Sequence, residues 1–144
     1  MVKLQLEDRM DAIFPTPEWL AAFEEKLNAD EKYGQVGSKW EGDIYFIIKP
    51  EGNLKEQVVY YLDLWHGKCR GTEVVNDIAT HAPAFTLGAV YGNFARVLTG
   101  ELDPMQAILT RKLDVRGNMA VMMRSIPTIL EFVRCAREIT KGIV

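Results

Sequence analysis

Hydrophobic positions along the first half of the chain predict one helix followed by strands. Thr16 is a suitable N-cap with Pro17 at the first helical position, and the apolar residues that follow are spaced three and four apart. The runs 43–49 and 57–65 are short, β-branched and aromatic, and the turn-forming cluster 50–53 separates them. This part of the chain therefore predicts an amphipathic helix and then two strands joined by a turn.

Weaker strand signals follow in the middle of the chain. A tight turn is predicted at 67–68, a third strand at 69–76 and a fourth at 84–87. Both faces of the second strand are largely apolar, whereas a sheet that is covered on one side usually alternates more cleanly. Gly34 and Gly37 are assigned to a loop between the first helix and the first strand.

The second half of the chain has a mainly helical pattern. A helix is predicted at 90–98, and a short helix opens at Asp103 and Pro104, which suit its N-cap and first position. Residues 112–116 alternate strictly between polar and apolar, which is typical of a half-exposed strand, and the last helix begins near Ser125. A run of strands followed by helices, rather than strict alternation of the two, favours an α+β fold.

Composition and charge narrow the classes of function. The 144 residues suit one domain over residues 1–144, and the 48% hydrophobic and 26% charged fractions are those of ordinary globular proteins. The net charge of -3 argues against nucleic-acid binding, which needs a clustered basic face, and against simple electrostatic attachment to anionic membranes. There is no run of 18 apolar residues, so no transmembrane helix is predicted.

Neither end of the chain resembles a targeting signal. Glu7 and Asp8 interrupt the first ten residues, where a secretory signal needs an apolar run, and the last four residues are not a peroxisomal signal. A cytoplasmic location is therefore expected. The two cysteines lie far apart without a repeated spacing, and they are expected to be free thiols.

Candidate chemistry is sparse. His66 and Cys69 have an H-x-x-C spacing, but His81 and Cys135 are the other imidazole and thiol donors and form no second pair for a zinc site. The sequence contains no phosphate-binding glycine loop, no dinucleotide fingerprint and no nucleophile elbow. These residues predict no metal, no cofactor and no enzymatic activity.

Three segments within residues 84–123 follow one another in a recognisable order: 84–87 (AFTL), 97–107 (VLTGELDPMQA) and 112–119 (KLDVRGNM). Together they resemble the sterol carrier protein-2 family, and the resemblance strengthens at 97–107. The first segment is similar to the family's strand before a helix, and the second to its helix ending in Thr-Gly-x-Leu-Asp-Pro. The third is similar to the family's last strand and glycine turn.

The resemblance implies an α+β fold with a five-stranded, mainly antiparallel sheet and helices packed on one face around an apolar tunnel. It also implies a non-catalytic carrier that holds a fatty acid, acyl-CoA, sterol or isoprenoid in this tunnel. Two departures, Arg111 where the family often has glycine and Asp114 where a basic residue is common, are expected to lie outside the pocket. The residues predicted to line the tunnel are Phe85, Leu87, Phe94, Leu98, Met105, Ile108, Leu109, Leu113, Val115, Met119, Met122, Ile126 and Leu130.

Other interpretations remain open from the sequence. The apolar stripe of the last helix is typical of packing on the sheet, and it also suits a lid over the tunnel or a self-association face. Arg124, Arg134, Arg137 and Lys141 suit either a solvated helix face or contacts with a lipid headgroup. An accessory or dimerisation module of a lipid-metabolism assembly, with no tightly bound ligand, is the competing function. No motif supports a small hydrolase. Transient membrane contact and a homodimer are compatible with both the lipid carrier and the accessory module.

Overall fold

Residues 12–144 are described by the computed structural model, and they form six α-helices and seven strands. The helices are α1 (Pro17–Ala29), α2 (Glu31–Val36), α3 (Tyr91–Thr99), α4 (Pro104–Leu109), α5 (Met119–Arg124) and α6 (Ile126–Ile139). The strands are β1 (Ile13–Phe14), β2 (Ile44–Lys49), β3 (Val58–Trp65), β4 (Lys68–Val75), β5 (Phe85–Val90), β6 (Asp114–Arg116) and β7 (Gly142–Ile143). The prediction on a secretory signal at residues 1–10 lies outside the described residues.

Five of the strands form one mixed sheet in the order β4-β3-β2-β5-β6. β2 runs antiparallel to β3 and parallel to β5, and the pairs β3-β4 and β5-β6 are antiparallel. The predicted α+β fold with a five-stranded, mainly antiparallel sheet is therefore confirmed. β1 and β7 pair in parallel as a separate two-stranded ribbon, which the sequence did not predict.

The first helix begins where its capping residues predict. The Thr16 hydroxyl accepts a hydrogen bond from the Trp19 backbone N–H at 3.3 Å, and Pro17 occupies the first helical position. Trp19, Phe23 and Leu27 follow on one face and are almost fully buried against the sheet. The cap and the apolar stripe together orient α1 across the inner face of the sheet.

Helices cover the inner face of the sheet, and a loop covers part of the outer face. Tyr45 and Val59 belong to a second, smaller apolar cluster on the outer face. The segment 76–84 closes over it, because the Tyr45 hydroxyl donates to backbone carbonyls of this segment and the His81 ring stacks on Tyr61 at 3.7 Å between centroids. This cover explains why both faces of β3 are apolar in sequence.

The hairpin between β3 and β4 turns one residue earlier than predicted. His66 and Gly67 form the connection, and their φ angles of 51° and 78° are those of a two-residue hairpin turn with both residues left-handed. Gly67 is required there, since a Cβ atom would lie 2.3 Å from the Gly34 carbonyl oxygen. Lys68, which was assigned to the turn, is instead the first residue of β4.

Three other boundaries also differ from the prediction. Gly34 lies inside α2 rather than in a loop, because Asp30 ends α1 and caps a second helix. Val90 was assigned to a helix but ends β5, whose parallel ladder with β2 extends to that residue. The strand predicted at 112–116 is shortened, since only Asp114–Arg116 pair with β5.

An ionic cluster ties the last helix to the first two. Arg134 on α6 donates to Asp30, at the junction of α1 and α2, with 2.7 Å between Nη2 and Oδ1. Lys26 lies 3.2 Å from the same carboxylate, and Arg134 also donates to Glu131 and Glu138 on its own helix. The Arg134 guanidinium, together with a backbone N–H and Lys26, holds the pKa of Asp30 well below its usual range. This cluster fixes α6 over the edge of the core.

Within residues 12–144, no helix combines the length and the apolar character needed to cross a bilayer.

Candidate functional site

An apolar cavity of about 110 Å³ lies between the inner face of the sheet and the helices. Its floor comes from the inward-facing residues of four strands, among them Ile44, Phe46 and Leu87, and its other walls come from all six helices and from the loops. The register places Phe46 beside Leu87, and Leu87 beside Val115 on β6. Alternation along the strands therefore aims these side chains into one space.

Two indole groups and one hydroxyl group of the cavity wall donate hydrogen bonds to partners outside the lining. The Trp19 indole N–H donates to the Thr140 hydroxyl at 2.8 Å, and the Trp40 indole N–H donates to the Gly42 carbonyl at 2.9 Å. The Thr128 hydroxyl donates to a backbone carbonyl of α2. With these donors satisfied elsewhere, the accessible walls present apolar atoms only. Such an interior suits hydrocarbon and gives no hydrogen bond to a polar substrate.

Seven of the residues predicted to line the tunnel lie in the cavity wall. They come from β5, α3, α4, β6 with its preceding loop, and α5: Leu87, Phe94, Leu98, Ile108, Leu113, Val115 and Met122. Their contact with a ligand stays a prediction.

The other six predicted residues do not line the cavity. Phe85 is buried against the Trp40 ring, at 5.0 Å between centroids, and Met105 and Ile126 are half-buried. Leu109, Met119 and Leu130 point outward and are 68%, 41% and 44% exposed. The short helices α4 and α5 explain much of the difference, because fewer than two turns give too few apolar positions to define one buried face.

Most of the cavity wall comes from residues that the sequence did not assign to a site. The first half of the chain supplies Phe14, Trp19, Tyr33, Trp40, Ile44, Phe46 and Leu64, and the second supplies Val97, Pro104, Thr128, Ile129, Phe132, Val133 and Ala136. The sequence resembled the family closely only in residues 84–123. The predicted tunnel residues were therefore chosen in and near this segment. Strand alternation and the stripe of α1 mark several of these residues as core, but a core position and a cavity wall have the same pattern.

Among the described residues, Tyr33 is the one titratable side chain in the wall of this cavity. His66 pairs with Glu41 at 2.6 Å and His81 pairs with Glu73 at 3.0 Å, and neither histidine is in the cavity wall. In the part of the chain that the structure describes, no three His, Cys, Asp or Glu side chains are grouped so that they could hold a metal ion. The cavity therefore offers neither a carboxylate or imidazole base nor a metal ligand among its lining residues.

Both cysteines are buried free thiols. Burial raises the pKa of the Cys69 thiol to about 12 and that of the Cys135 thiol to about 11. Because the thiolate is the reactive form, neither side chain is suited to nucleophilic chemistry at neutral pH. His66 lies in the β3-β4 turn and Cys69 lies on β4, so the H-x-x-C spacing spans the start of this hairpin strand.

A more polar cleft of about 290 Å³ adjoins the cavity and shares Pro104 and Val133 with it. Arg134 and Arg137 both line this cleft. Arg134 is neutralised by its three carboxylate partners, whereas Arg137 donates from Nε to the carbonyl of Val97, itself a cavity residue, at 2.8 Å. No partner for the Arg137 Nη groups occurs among residues 12–144. Arg137 is thus a basic group placed beside the apolar interior.

Comparisons with known proteins agree with this geometry. Residues 19–129 match the SCP-2 sterol transfer family. A crystal structure of sterol carrier protein 2 is 32% identical, with a TM-score of 0.77 over 85% of this chain and 96% of that chain. The solution structure of a conserved hypothetical protein from Thermus thermophilus, a candidate sterol carrier protein, is 32% identical, with a TM-score of 0.78 over 88% of this chain and 90% of that chain.

The same fold also occurs as part of a larger protein. A stereoselective inverting sec-alkylsulfatase from Pseudomonas sp. is 14% identical, with a TM-score of 0.52 over 83% of this chain and 16% of that chain, and this likeness shows the fold alone. No curated protein sequence matches the chain. The family match covers most of the chain and confirms the resemblance seen in residues 84–123, so the chain belongs to the SCP-2 sterol transfer family.

Proposed function

We propose that the chain is a non-catalytic carrier that binds a fatty acyl, sterol or isoprenoid lipid in the apolar cavity. The observation that carries this proposal is the wall of the cavity. Its two indole groups and the Thr128 hydroxyl are hydrogen-bonded elsewhere, and its accessible atoms are apolar. Membership of the family supports lipid binding in general. Each buried methylene contributes about 0.8 kcal/mol, so a long chain could gain on the order of 10 kcal/mol before the costs of association.

The cavity has to widen to accept such a lipid. Its volume of about 110 Å³ is smaller than the roughly 150 Å³ engineered cavity that takes benzene, and far below the ~300 Å³ of ordinary ligand sites. The walls most able to move are the half-buried side chains Leu98 and Ile108 and the adaptable Met122. We therefore expect α4 and α5 to shift when a lipid enters.

Recovery of a lipid with the purified protein tests this function directly. Native mass spectrometry followed by organic extraction is expected to show one lipid per chain, or uptake of one equivalent of a fluorescent fatty acid or sterol by the lipid-free protein. The physical reason is the gain from apolar burial. A folded protein that carries no lipid and takes up neither probe would overturn the carrier function and favour an accessory or dimerisation module.

Arg137 is expected to distinguish between lipid classes. We expect Arg137→Gln to weaken binding of a fatty acid about tenfold, because a charge-assisted hydrogen bond contributes about 1.5–3 kcal/mol, and to leave binding of a sterol unchanged. Arg124→Gln is the matched control, since Arg124 is exposed and outside both the cavity and the cleft. Equal affinity of Arg137→Gln and wild type for a fatty acid would place the headgroup elsewhere.

A further inference from the structure

Four of the five tyrosines donate a hydrogen bond from the phenol, and Tyr33 is the exception. Within residues 12–144 its hydroxyl forms no hydrogen bond, although the residue is only 1% exposed. A nearly enclosed hydroxyl that leaves water without gaining a partner costs free energy, so such groups are rare in folded proteins. The partnered phenols and their acceptors are Tyr45 with the carbonyls of Ile78 and His81, Tyr60 with Thr16, Tyr61 with Asp43, and Tyr91 with Val144.

The position of Tyr33 is fixed by its backbone and by its ring. Its N–H donates to the Asp30 carboxylate at 2.9 Å, and its carbonyl accepts the N–H of Gly37 at 2.8 Å. Its ring packs against the Phe132 ring, with 6.2 Å between centroids. These contacts hold the ring in one place, away from solvent, and the hydroxyl is placed with it.

Tyr33 belongs to the wall of the apolar cavity and meets the unfilled cavity with apolar atoms. Its oxygen still borders open space, because every side-chain nitrogen or oxygen that is fully enclosed in the described residues has a partner. Since the side chain is a wall residue and is almost shielded from solvent, this space lies at the margin of the cavity. A lipid that widens the cavity is therefore expected to reach the hydroxyl.

The surroundings of the hydroxyl favour an uncharged partner. Burial raises the pKa of the Tyr33 phenol well above its ordinary value, so at neutral pH the group keeps its proton and can both donate and accept. No lysine, arginine or histidine is among the cavity-lining residues of the described chain. A carboxylate buried here would lose its hydration without a cation to replace it, whereas an alcohol exchanges a hydrogen bond with water for one with Tyr33.

We propose that Tyr33 selects lipids that carry an uncharged hydroxyl, by forming a hydrogen bond with that hydroxyl inside the cavity. The inference deepens the proposed carrier function and rests on it. It assigns two polar groups to different ligands: Tyr33 to straight-chain alcohols or sterols, and Arg137 in the adjoining cleft to carboxylates. The bound alcohol supplies the partner that the empty protein lacks, so binding removes the cost of the unpaired phenol.

Tyr33→Phe tests this role, because it removes the hydroxyl and keeps the ring. Affinities are measured by displacement of a fluorescent fatty acid, with two pairs of ligands that differ in one hydroxyl: hexadecanol with hexadecane, and cholestanol with cholestane. Wild type is expected to prefer each alcohol to its alkane. Tyr33→Phe is expected to reduce that preference about tenfold, because the buried alcohol then has no partner. A reduction in one pair alone identifies which kind of alcohol reaches Tyr33.

Thermal unfolding of the lipid-free protein gives a second, independent readout. Tyr33→Phe is expected to raise the midpoint by about 3 °C, since an unpaired hydroxyl is removed from the core. Tyr60→Phe is the matched control: Tyr60 is equally buried, but its hydroxyl donates to the Thr16 carbonyl at 2.7 Å and it does not line the cavity. The control is expected to lower the midpoint and to leave the preference for alcohols unchanged.

Two results would overturn the role of Tyr33 and leave the carrier function intact. One is a folded Tyr33→Phe that keeps the wild-type preference for alcohols over alkanes. The other is a decrease in its midpoint as large as that of Tyr60→Phe, which would show that the hydroxyl already has a partner in the lipid-free protein. A wild-type chain that binds neither the fluorescent fatty acid nor any of the four ligands would instead overturn the carrier function, and the role of Tyr33 with it.

Discussion

Leu87→Trp is expected to weaken lipid binding at least 100-fold while the protein stays folded. Leu87 projects from the middle of β5 into the cavity, beside Phe46 on one neighbouring strand and Val115 on the other. An indole at this position occupies space that the lipid chain needs. Excluding about four methylenes costs roughly 3 kcal/mol, which corresponds to about 100-fold in Kd.

The measurement is titration with a fluorescent fatty acid, accompanied by thermal unfolding. Thr86→Trp is the matched control, because the same residue is introduced one position earlier on the same strand, and strand alternation directs it to the outer face. Overpacking of the core costs about 1–3 kcal/mol, so a folded variant is expected. Val115→Trp on β6 provides a second way of filling the cavity if Leu87→Trp does not fold. Wild-type affinity in a folded variant would show that the lipid site is not this cavity.

Asp30→Ala is expected to lower the free energy of unfolding by about 2–3 kcal/mol. The nearly buried Asp30 carboxylate accepts the Tyr33 backbone N–H as the N-cap of α2, and it also accepts the Arg134 guanidinium from α6. Loss of a cap costs about 1 kcal/mol, and removal of one partner from a partly buried ion pair adds to this cost. Urea unfolding at neutral pH measures the change.

Two other substitutions separate the parts of this effect. Asp30→Asn keeps an acceptor for the cap and removes the charge, so it is expected to cost about half as much. Glu138→Ala removes a carboxylate that also contacts Arg134 and Lys26 but is half exposed, and it is expected to cost less than about 1 kcal/mol. If Glu138→Ala were as destabilising as Asp30→Ala, the position of Asp30 at the helix junction would have no special importance.

The pKa of Asp30 predicts how stability changes in acid. Its pKa in the folded chain is well below its usual value, so ionised Asp30 stabilises the folded state above about pH 4, where the unfolded chain is also ionised. This contribution is lost as the pH falls below about 4 toward the folded value. The urea midpoint of wild type is therefore expected to decrease between pH 5 and pH 3 by more than that of Asp30→Asn. Parallel curves would show that other carboxylates dominate acid unfolding.

The structure changes the roles that the sequence left open for the basic residues. Arg134 and Arg137 lie three positions apart on one helix and have the same pattern in sequence. In the structure Arg134 is neutralised by Asp30, which is 104 positions away in the chain, while Arg137 adjoins the cavity. Arg124 is exposed and forms no ion pair within the described residues.

The α+β class, the first helix, the main strands and the family followed from the sequence by itself. These are local properties: Thr16 caps α1, alternation marks the strands, and a motif such as 97–107 can be recognised without coordinates. Only the tertiary structure decided which apolar residues line a cavity and which are exposed. Ile108 lines the cavity while Leu109 is exposed, and Met122 lines it while Met119 is exposed. The physical reason is that a six-residue helix has no stripe long enough to define its orientation, so packing against distant strands sets it.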